Sequence, residues 1–141
     1  MLRKNILLLI VGVMVISYSY AQSTSDQDKK EIEKVIGYYF EGSRTDNPET
    51  LKKAFHPDAT LKYAKEGEYT SVPISKYFTY FTNTKTREFE GEIHYIDVVG
   101  TAANVKLSVT YDTYRFNDYM NMIKLNNGWK IVSKISYREN L

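Results

Sequence analysis

Hydrophobic residues at helical spacing predict a long amphipathic helix in the first third of the chain. Between Asp26 and Glu41 the apolar positions follow the i, i+3, i+4, i+7, i+8 pattern: Ile32, Val35, Ile36, Tyr39 and Phe40. Ser25 is placed to cap this helix and Gly42 to end it. We therefore expect one face of the helix to pack against the rest of the domain.

Two shorter helices follow, and each is opened by a proline. Pro48 suits a first helical position, and the short helix behind it ends before Pro57. After two short strands over 60–64 and 68–72, Pro73 begins a third helix. Its apolar residues again have helical spacing: Ile74, Tyr77, Phe78 and Phe81.

The second half of the chain alternates apolar and polar residues and predicts an antiparallel meander. We place its four strands at 88–99, 102–115, 116–125 and 129–138, with a tight hairpin at Asn126-Asn127-Gly128. Alternation assigns five positions to the outer face of the sheet: Lys106, Ser108, Thr110, Val132 and Lys134. A strongly curved antiparallel sheet wrapped around three helices would bury every apolar stripe and enclose a cavity, which predicts an α+β cone.

The first 21 residues predict a secretory signal peptide in front of a single domain over 22–141. A short basic segment precedes an apolar run over 6–17, which is too short to span a bilayer comfortably. Ser19 and Ala21 suit a cleavage site, and the alternative is an uncleaved anchor. We favour cleavage after Ala21, and hence an exported, periplasmic or secreted protein with no stable membrane anchor.

Composition narrows the possible chemistry. The formal charge is only +2 and both signs are interspersed, so nothing predicts nucleic-acid binding. The chain has no Cys, which excludes thiol catalysis, and its 2 His have no metal-binding spacing. We therefore expect no metal and no cofactor. The 13 Tyr are unusually many, and tyrosine suits both sheet faces and ligand pockets.

Four segments resemble the NTF2-like (SnoaL-like) superfamily, and within it a branch of small exported bacterial proteins described as lumazine-binding. They are YYFEGSRTDNPETLKKAFHPDATLKY at 38–63, VPISKYF at 72–78, IDVVGTAANVKLSVTY at 96–111 and FNDYMNMIKLNNGWKIVSKISYRE at 116–139. The resemblance covers nearly the whole predicted domain and implies the cone fold and a back-to-back homodimer. It implies no definite catalytic pair, because the superfamily hosts isomerases, hydrolases, cyclases and binding domains.

The segment AFHPDATL at 54–61 places His56 two residues before Asp58. One interpretation is an imidazole at the cavity mouth that Asp58 orients. The other, which we favour, is a turn in which Pro57 ends the helix and Asp58 binds local backbone N–H groups. Residues two apart across a proline do not naturally face each other, so only His56 is kept as a candidate at the cavity rim.

Asp118 is the carboxylate best placed for acid–base chemistry. In a regular strand it shares a face with Met120, where a desolvated carboxyl would suit proton transfer. The opposite face is also apolar, and a bulge near Asn117 would reverse the two faces. Alternation therefore leaves the direction of Asp118 open and slightly favours the outward one.

Aromatic side chains on the inward stripes would converge on one cavity. With the candidates above, they make up the predicted ligand-binding residues: Tyr39, His56, Tyr63, Tyr77, Phe81, Tyr111, Asp118, Met120 and Trp129. The alternative is ordinary core packing, although a cluster of phenols favours a cavity that accepts a polar ligand.

Three functions stay open. We favour a domain that binds a small hydrophobic or aromatic molecule without catalysis. The second is an isomerase, hydratase or cyclase that transfers protons through Asp118 or His56. The third is a structural dimerisation domain with a filled core. An inward Asp118 with a raised pKa would favour the enzyme, and an empty tyrosine-lined cavity with no inward carboxylate would favour binding. A solid core would count against both of these functions.

Overall fold

The computed structural model describes residues 26–141, so the predicted signal peptide lies outside the described residues. The described chain begins in a helix, α1, over 26–44. The other elements are α2 (Pro48–Ala54), β1 (Phe55–Lys65), β2 (Glu68–Pro73), α3 (Ile74–Phe78), β3 (Glu90–Val99), β4 (Ala102–Thr110), β5 (Tyr114–Leu125) and β6 (Gly128–Asn140). Within 26–141, no helix is both long and apolar enough to cross a membrane.

The six strands form one sheet in the order β2-β1-β6-β5-β4-β3. The predicted meander is confirmed, because β3, β4, β5 and β6 pair in sequence and antiparallel. One pair differs from the expected antiparallel sheet, since β1 lies parallel to β6. No hairpin joins these two strands, so no tight turn constrains their relative direction. The fold is the predicted α+β cone with a mixed sheet.

The core lies between α1 and the inner face of the sheet. The predicted stripe of α1 is buried there, and Ile32 and Ile36 are fully shielded from solvent. The sheet contributes the facing apolar residues: Val105, Leu107, Met120, Met122, Trp129 and Ile131. Burial of these large side chains supplies most of the driving force that wraps the sheet around α1.

A bulge in β6 decides which of its residues face inward. Val132 has no partner in β5, because Ile131 and Ser133 on either side of it pair with consecutive β5 residues. An extra residue of this kind reverses the alternation of the strand. Lys134 therefore lies inside the cone and is only 4% exposed, and the prediction that it lies on the outer face is wrong.

The AFHPDATL segment forms a second irregularity, at the junction of α2 and β1. Phe55 pairs with Ile131 and Thr60 with Ser133, so the residues between them bulge away from the ladder. The Nδ1 atom of His56 accepts a hydrogen bond from the backbone N–H of Asp58 at 3.2 Å. The segment is thus a local bulge in the strand. We expected the Asp58 side chain to accept a backbone hydrogen bond in this turn, but the His56 imidazole accepts it instead.

Gly42 is a tightly packed position of α1, and its replacement tests how α1 packs on α2. A Cβ atom there would lie 2.8 Å from the backbone nitrogen of Leu51 and 3.1 Å from the carbonyl oxygen of Asn47. Relief of this clash requires α2 to move, so Gly42→Ala should lower the free energy of unfolding by about 1–3 kcal/mol. Urea denaturation followed by circular dichroism measures the change.

Gly37→Ala is the matched control in the same helix. A Cβ atom at Gly37 would have nothing within 4 Å, and alanine is the better helix former by roughly 0.5–1 kcal/mol. The control should therefore be neutral or stabilising. Equal effects of the two substitutions would contradict close packing at Gly42.

Candidate functional site

A cavity of about 930 Å³ lies between the inner face of the sheet and the helices. Its wall is mainly aromatic: Tyr39, Tyr63, Tyr69, Tyr77, Tyr80, Phe81, Tyr111, Tyr114, Phe116 and Tyr137. A space of this volume, with apolar walls and few polar groups, is typical of a site for a small organic molecule.

A buried ion pair forms the floor of the cavity. The Lys134 ammonium donates to Asp118 Oδ2, and it also donates to the Tyr39 hydroxyl at 3.0 Å. Tyr39 donates to the same carboxylate oxygen at 3.0 Å, and Ser136 donates to Asp118 Oδ1 at 2.6 Å. Asp118 is completely shielded from solvent and Lys134 nearly so. The four side chains form one connected polar network inside an otherwise apolar core.

Three elements position this network. Asp118 lies in the regular part of β5 on the same face as Met120, and Met120 is the direct partner of Lys134 in β6. Ser136 is the direct partner of Asp118, and the β6 bulge turns both β6 residues inward. Tyr39 reaches the carboxylate from the buried stripe of α1. The network therefore ties the helix to the two central strands.

Burial and charge together determine the protonation of the floor. Burial lowers the pKa of Lys134, and the neighbouring Asp118 carboxylate only partly opposes this shift. Burial, assisted by the same carboxylate, raises the pKa of Tyr39 well above its ordinary value. Tyr39 therefore stays a hydrogen-bond donor, whereas Lys134 releases a proton more readily than an exposed lysine does.

Lys134 connects the buried carboxylate to the cavity. Asp118 already accepts hydrogen bonds from three side chains and does not itself line the cavity. An ammonium group has three N–H donors, and two of those on Lys134 are engaged by Asp118 and Tyr39. Lys134 also lines the cavity, and among the described residues its third donor has no hydrogen-bond acceptor.

A second network shapes the wall of the cavity. Asp46 is buried and accepts hydrogen bonds from the backbone N–H groups of Thr82 and Thr84, at 3.0 and 3.2 Å. Arg87 Nη1 lies 2.6 Å from Asp46 Oδ1. Burial alone would raise the pKa of Asp46, but these donors and the Arg87 charge outweigh it and hold the pKa below its ordinary value. Arg87 lines the cavity but is already paired.

The structure answers the question left open for Asp118, which points inward. Five of the predicted aromatic residues line the cavity: Tyr39, Tyr63, Tyr77, Phe81 and Tyr111. Asp118 belongs to the buried network at the floor but does not line the cavity, whereas its partners Tyr39, Lys134 and Ser136 do.

Three predicted residues lie away from the cavity. Met120 is fully buried in the core, and His56 is engaged by the backbone N–H of Asp58. Trp129 lies in a separate part of the core, where its Nε1–H donates to Asp28 at 3.1 Å. The alternation placed Met120 and Trp129 on the correct face but could not show how far along the cone each of them lies.

Sequence reasoning missed Lys134 as a site residue. The alternation of this strand assigns Ile131 and Ile135 to the inner face and Lys134 to the outer one. No turn or glycine signal marks Val132 as the extra residue that reverses the strand. The fold was therefore predictable here, but the side chain at the floor of the cavity was not.

The cone and its enclosed cavity define an NTF2-like protein. Residues 27–137 match the family described as "Putative lumazine-binding", and the chain belongs to this family. An NTF2-like protein of unknown function from Shewanella baltica OS155 superimposes with a TM-score of 0.73 at 29% identity, over 80% of this chain and 94% of that chain. The predicted NTF2-like superfamily and the lumazine-binding family within it are thereby confirmed.

Two further similarities involve proteins whose names state an activity. A "Putative Scytalone Dehydratase" from Novosphingobium aromaticivorans DSM 12444 shares the fold, with a TM-score of 0.64 at 20% identity over 84% of this chain and 88% of that chain. Aldolase FrzH from Cladobotryum sp is 27% identical over 100 residues, which are 69% of this chain and 80% of that protein.

Replacement of Lys134 tests how much the buried Asp118 carboxylate destabilises the fold when it has no counter-charge. Lys134→Met leaves Asp118 without its counter-charge and should lower the free energy of unfolding by about 3–5 kcal/mol. The double variant that adds Asp118→Asn removes both charges and should lose less than the sum of the two single variants. Urea denaturation of the three variants gives the coupling energy.

Lys62→Met is the control for this cycle. Lys62 also lines the cavity but hydrogen-bonds only to Ser133 Oγ, at 3.2 Å, so its replacement should change stability little. Strictly additive effects of the Asp118 and Lys134 substitutions would show that the two groups are not coupled.

Proposed function

We propose that the protein is an enzyme that transfers protons on a small, largely apolar carbonyl compound bound in the cavity. The observation that carries this proposal is the buried Lys134–Asp118 pair, with one N–H of Lys134 left for a ligand. A buried ion pair seldom stabilises a fold more than apolar residues of the same volume would. Titratable groups with shifted pKa values in a cleft are typical of acid–base sites.

Each residue of the floor would have a distinct role. Lys134 would donate to the carbonyl oxygen of the substrate and stabilise the negative charge that develops on it when solvent water in the open cavity takes the proton from the neighbouring carbon. Tyr39, whose one O–H donates to Asp118, would hold Lys134 in place. The lowered pKa of Lys134 favours delivery of a proton to that oxygen. Asp118 does not reach the substrate and is a positioning residue that orients both donors.

Carbonyl isomerisation, dehydration and aldol reactions share an enolate-like intermediate, so the site supports this class of reaction. The dehydratase and aldolase named among the similar proteins carry names from the same class. Their similarity supports the proposal without identifying a substrate.

A second candidate is a binding domain without catalysis. It is favoured by the engagement of Asp118 within the protein, since its oxygens accept hydrogen bonds from Tyr39, Lys134 and Ser136. The family description also supports binding of a small molecule. A purely structural domain has less support, because its core would be filled where this cone encloses about 930 Å³.

Hydrogen–deuterium exchange of an aromatic ketone separates the enzyme from the binding domain. In deuterated water the protein should accelerate exchange at the α-carbon of 2-tetralone, followed by NMR. Lys134→Met should reduce the acceleration by about 10²-fold or more, because it removes the donor to the carbonyl oxygen. Lys52→Met removes an exposed lysine of α2 that does not line the cavity and should keep the activity. If 2-tetralone raises the melting temperature but exchanges at the buffer rate, the enzyme proposal is wrong and the binding domain stands.

We also propose export as a mature chain that begins at Gln22, and pairing of two copies through the outer face of the sheet. Tyr95, Tyr119 and Ile123 are each more than 40% exposed, and the latter two lie on the strand face opposite to Asp118. A second copy would cover these apolar side chains.

Native mass spectrometry tests both parts of this proposal in one measurement. Full-length protein made in a secreting bacterial host should yield a dimer of chains that begin at Gln22. Ile123→Glu should shift the dimer to monomer, because it buries charge in the interface. An intact segment 1–21 would contradict export, and a monomeric parent protein would contradict the pairing.

A further inference from the structure

The charges around the cavity are not balanced. Four cationic side chains line it, namely Lys62, Arg87, Lys134 and Arg138, and no Asp or Glu is among the lining residues. Asp46 pairs with Arg87 and Asp118 pairs with Lys134. In the part of the chain that the structure describes, Lys62 and Arg138 have no carboxylate partner within 4.0 Å. The cavity therefore carries uncompensated positive charge.

Of these two cations, Arg138 is better placed to bind an anion. Its guanidinium lies over the Tyr114 ring, 4.3 Å from the centroid, and Tyr114 in turn stacks on Tyr111 at 4.7 Å. Stacking holds the plane of the guanidinium without using its N–H donors, so the bidentate fork stays available for an anion. Lys62, by contrast, already donates to Ser133.

The spacing along β6 sets the length of a ligand that could reach both Lys134 and Arg138. Arg138 lies four residues beyond Lys134 in one strand, which places the two Cα atoms about 13 Å apart. Aromatic rings of Tyr111 and Phe116 line the same cavity. A flat body of about two rings would fit against them with one polar group at each end.

We infer that the ligand of this cavity is a planar aromatic acid whose anionic group pairs with Arg138 at the exposed end while an oxygen at its other end meets Lys134. The inference rests on the proposed function and specifies the substrate class of the same site. Neutral analogues would keep the aromatic contacts and lose the pairing with Arg138. Cationic ligands would be repelled, since no carboxylate lines the cavity.

Two fluorescent probes with the same aromatic skeleton test the inference. 8-Anilinonaphthalene-1-sulfonate is anionic, N-phenyl-1-naphthylamine lacks the sulfonate, and both brighten in apolar surroundings. Arg138→Gln should weaken binding of the sulfonate by roughly fivefold, a size suited to an exposed ion pair, and leave the neutral probe unchanged. Added salt should weaken binding of the sulfonate probe and leave binding of the neutral probe unchanged.

Arg115→Gln is the matched control. It removes the same charge from β5, where Arg115 faces Glu139 and is not among the cavity-lining residues, and it should leave both probes unchanged. Equal losses in the two variants, or equal binding of the two probes to all proteins, would overturn the anion inference and leave the proposed function standing. Failure of both probes to bind would overturn the ligand cavity itself, and with it the proposed function.

Discussion

The contact between Lys134 and Asp118 is the interaction on which the rest of the site depends. Neither charge could stay inside the cone alone, because desolvation of an unpaired ion is more unfavourable than the folding of a small domain can offset. Each charge is tolerated because the other lies against it, and because Tyr39 and Ser136 also donate hydrogen bonds to the carboxylate. The helix, the bulge and the two central strands must all be in place before this arrangement exists.

The same arrangement explains why the cone is not filled. The polar floor faces a wall of tyrosine rings whose hydroxyl groups favour partial contact with water or a ligand over dense packing. Below the floor, Leu107 and Met120 close the core against α1 without solvent access. The molecule therefore divides into a packed lower part, which supplies stability, and an open upper part, which supplies the site.

Much of the fold was predictable, because its determinants are local. The stripe of α1, the proline that opens α2 and the Asn126-Asn127-Gly128 turn depend only on neighbouring residues, and each lies where it was expected. The strand β1 was harder, because its pairing with β6 joins distant parts of the chain. It also begins earlier than expected, at Phe55. Hairpin signals carry no information about such a parallel neighbour.

The sequence by itself determined the element order, the apolar stripes and the tyrosine-rich composition of the cavity wall, since these follow from periodicity and residue type. Only the tertiary structure decided which polar groups meet inside. The direction of Asp118 is ambiguous in its own strand, and alternation places Lys134 on the wrong face. One unpaired residue, Val132, turns Lys134 toward the carboxylate. A strand with period two changes face when a single residue is inserted. The chemistry of this protein therefore depends on the register between β5 and β6, which no local sequence pattern predicts.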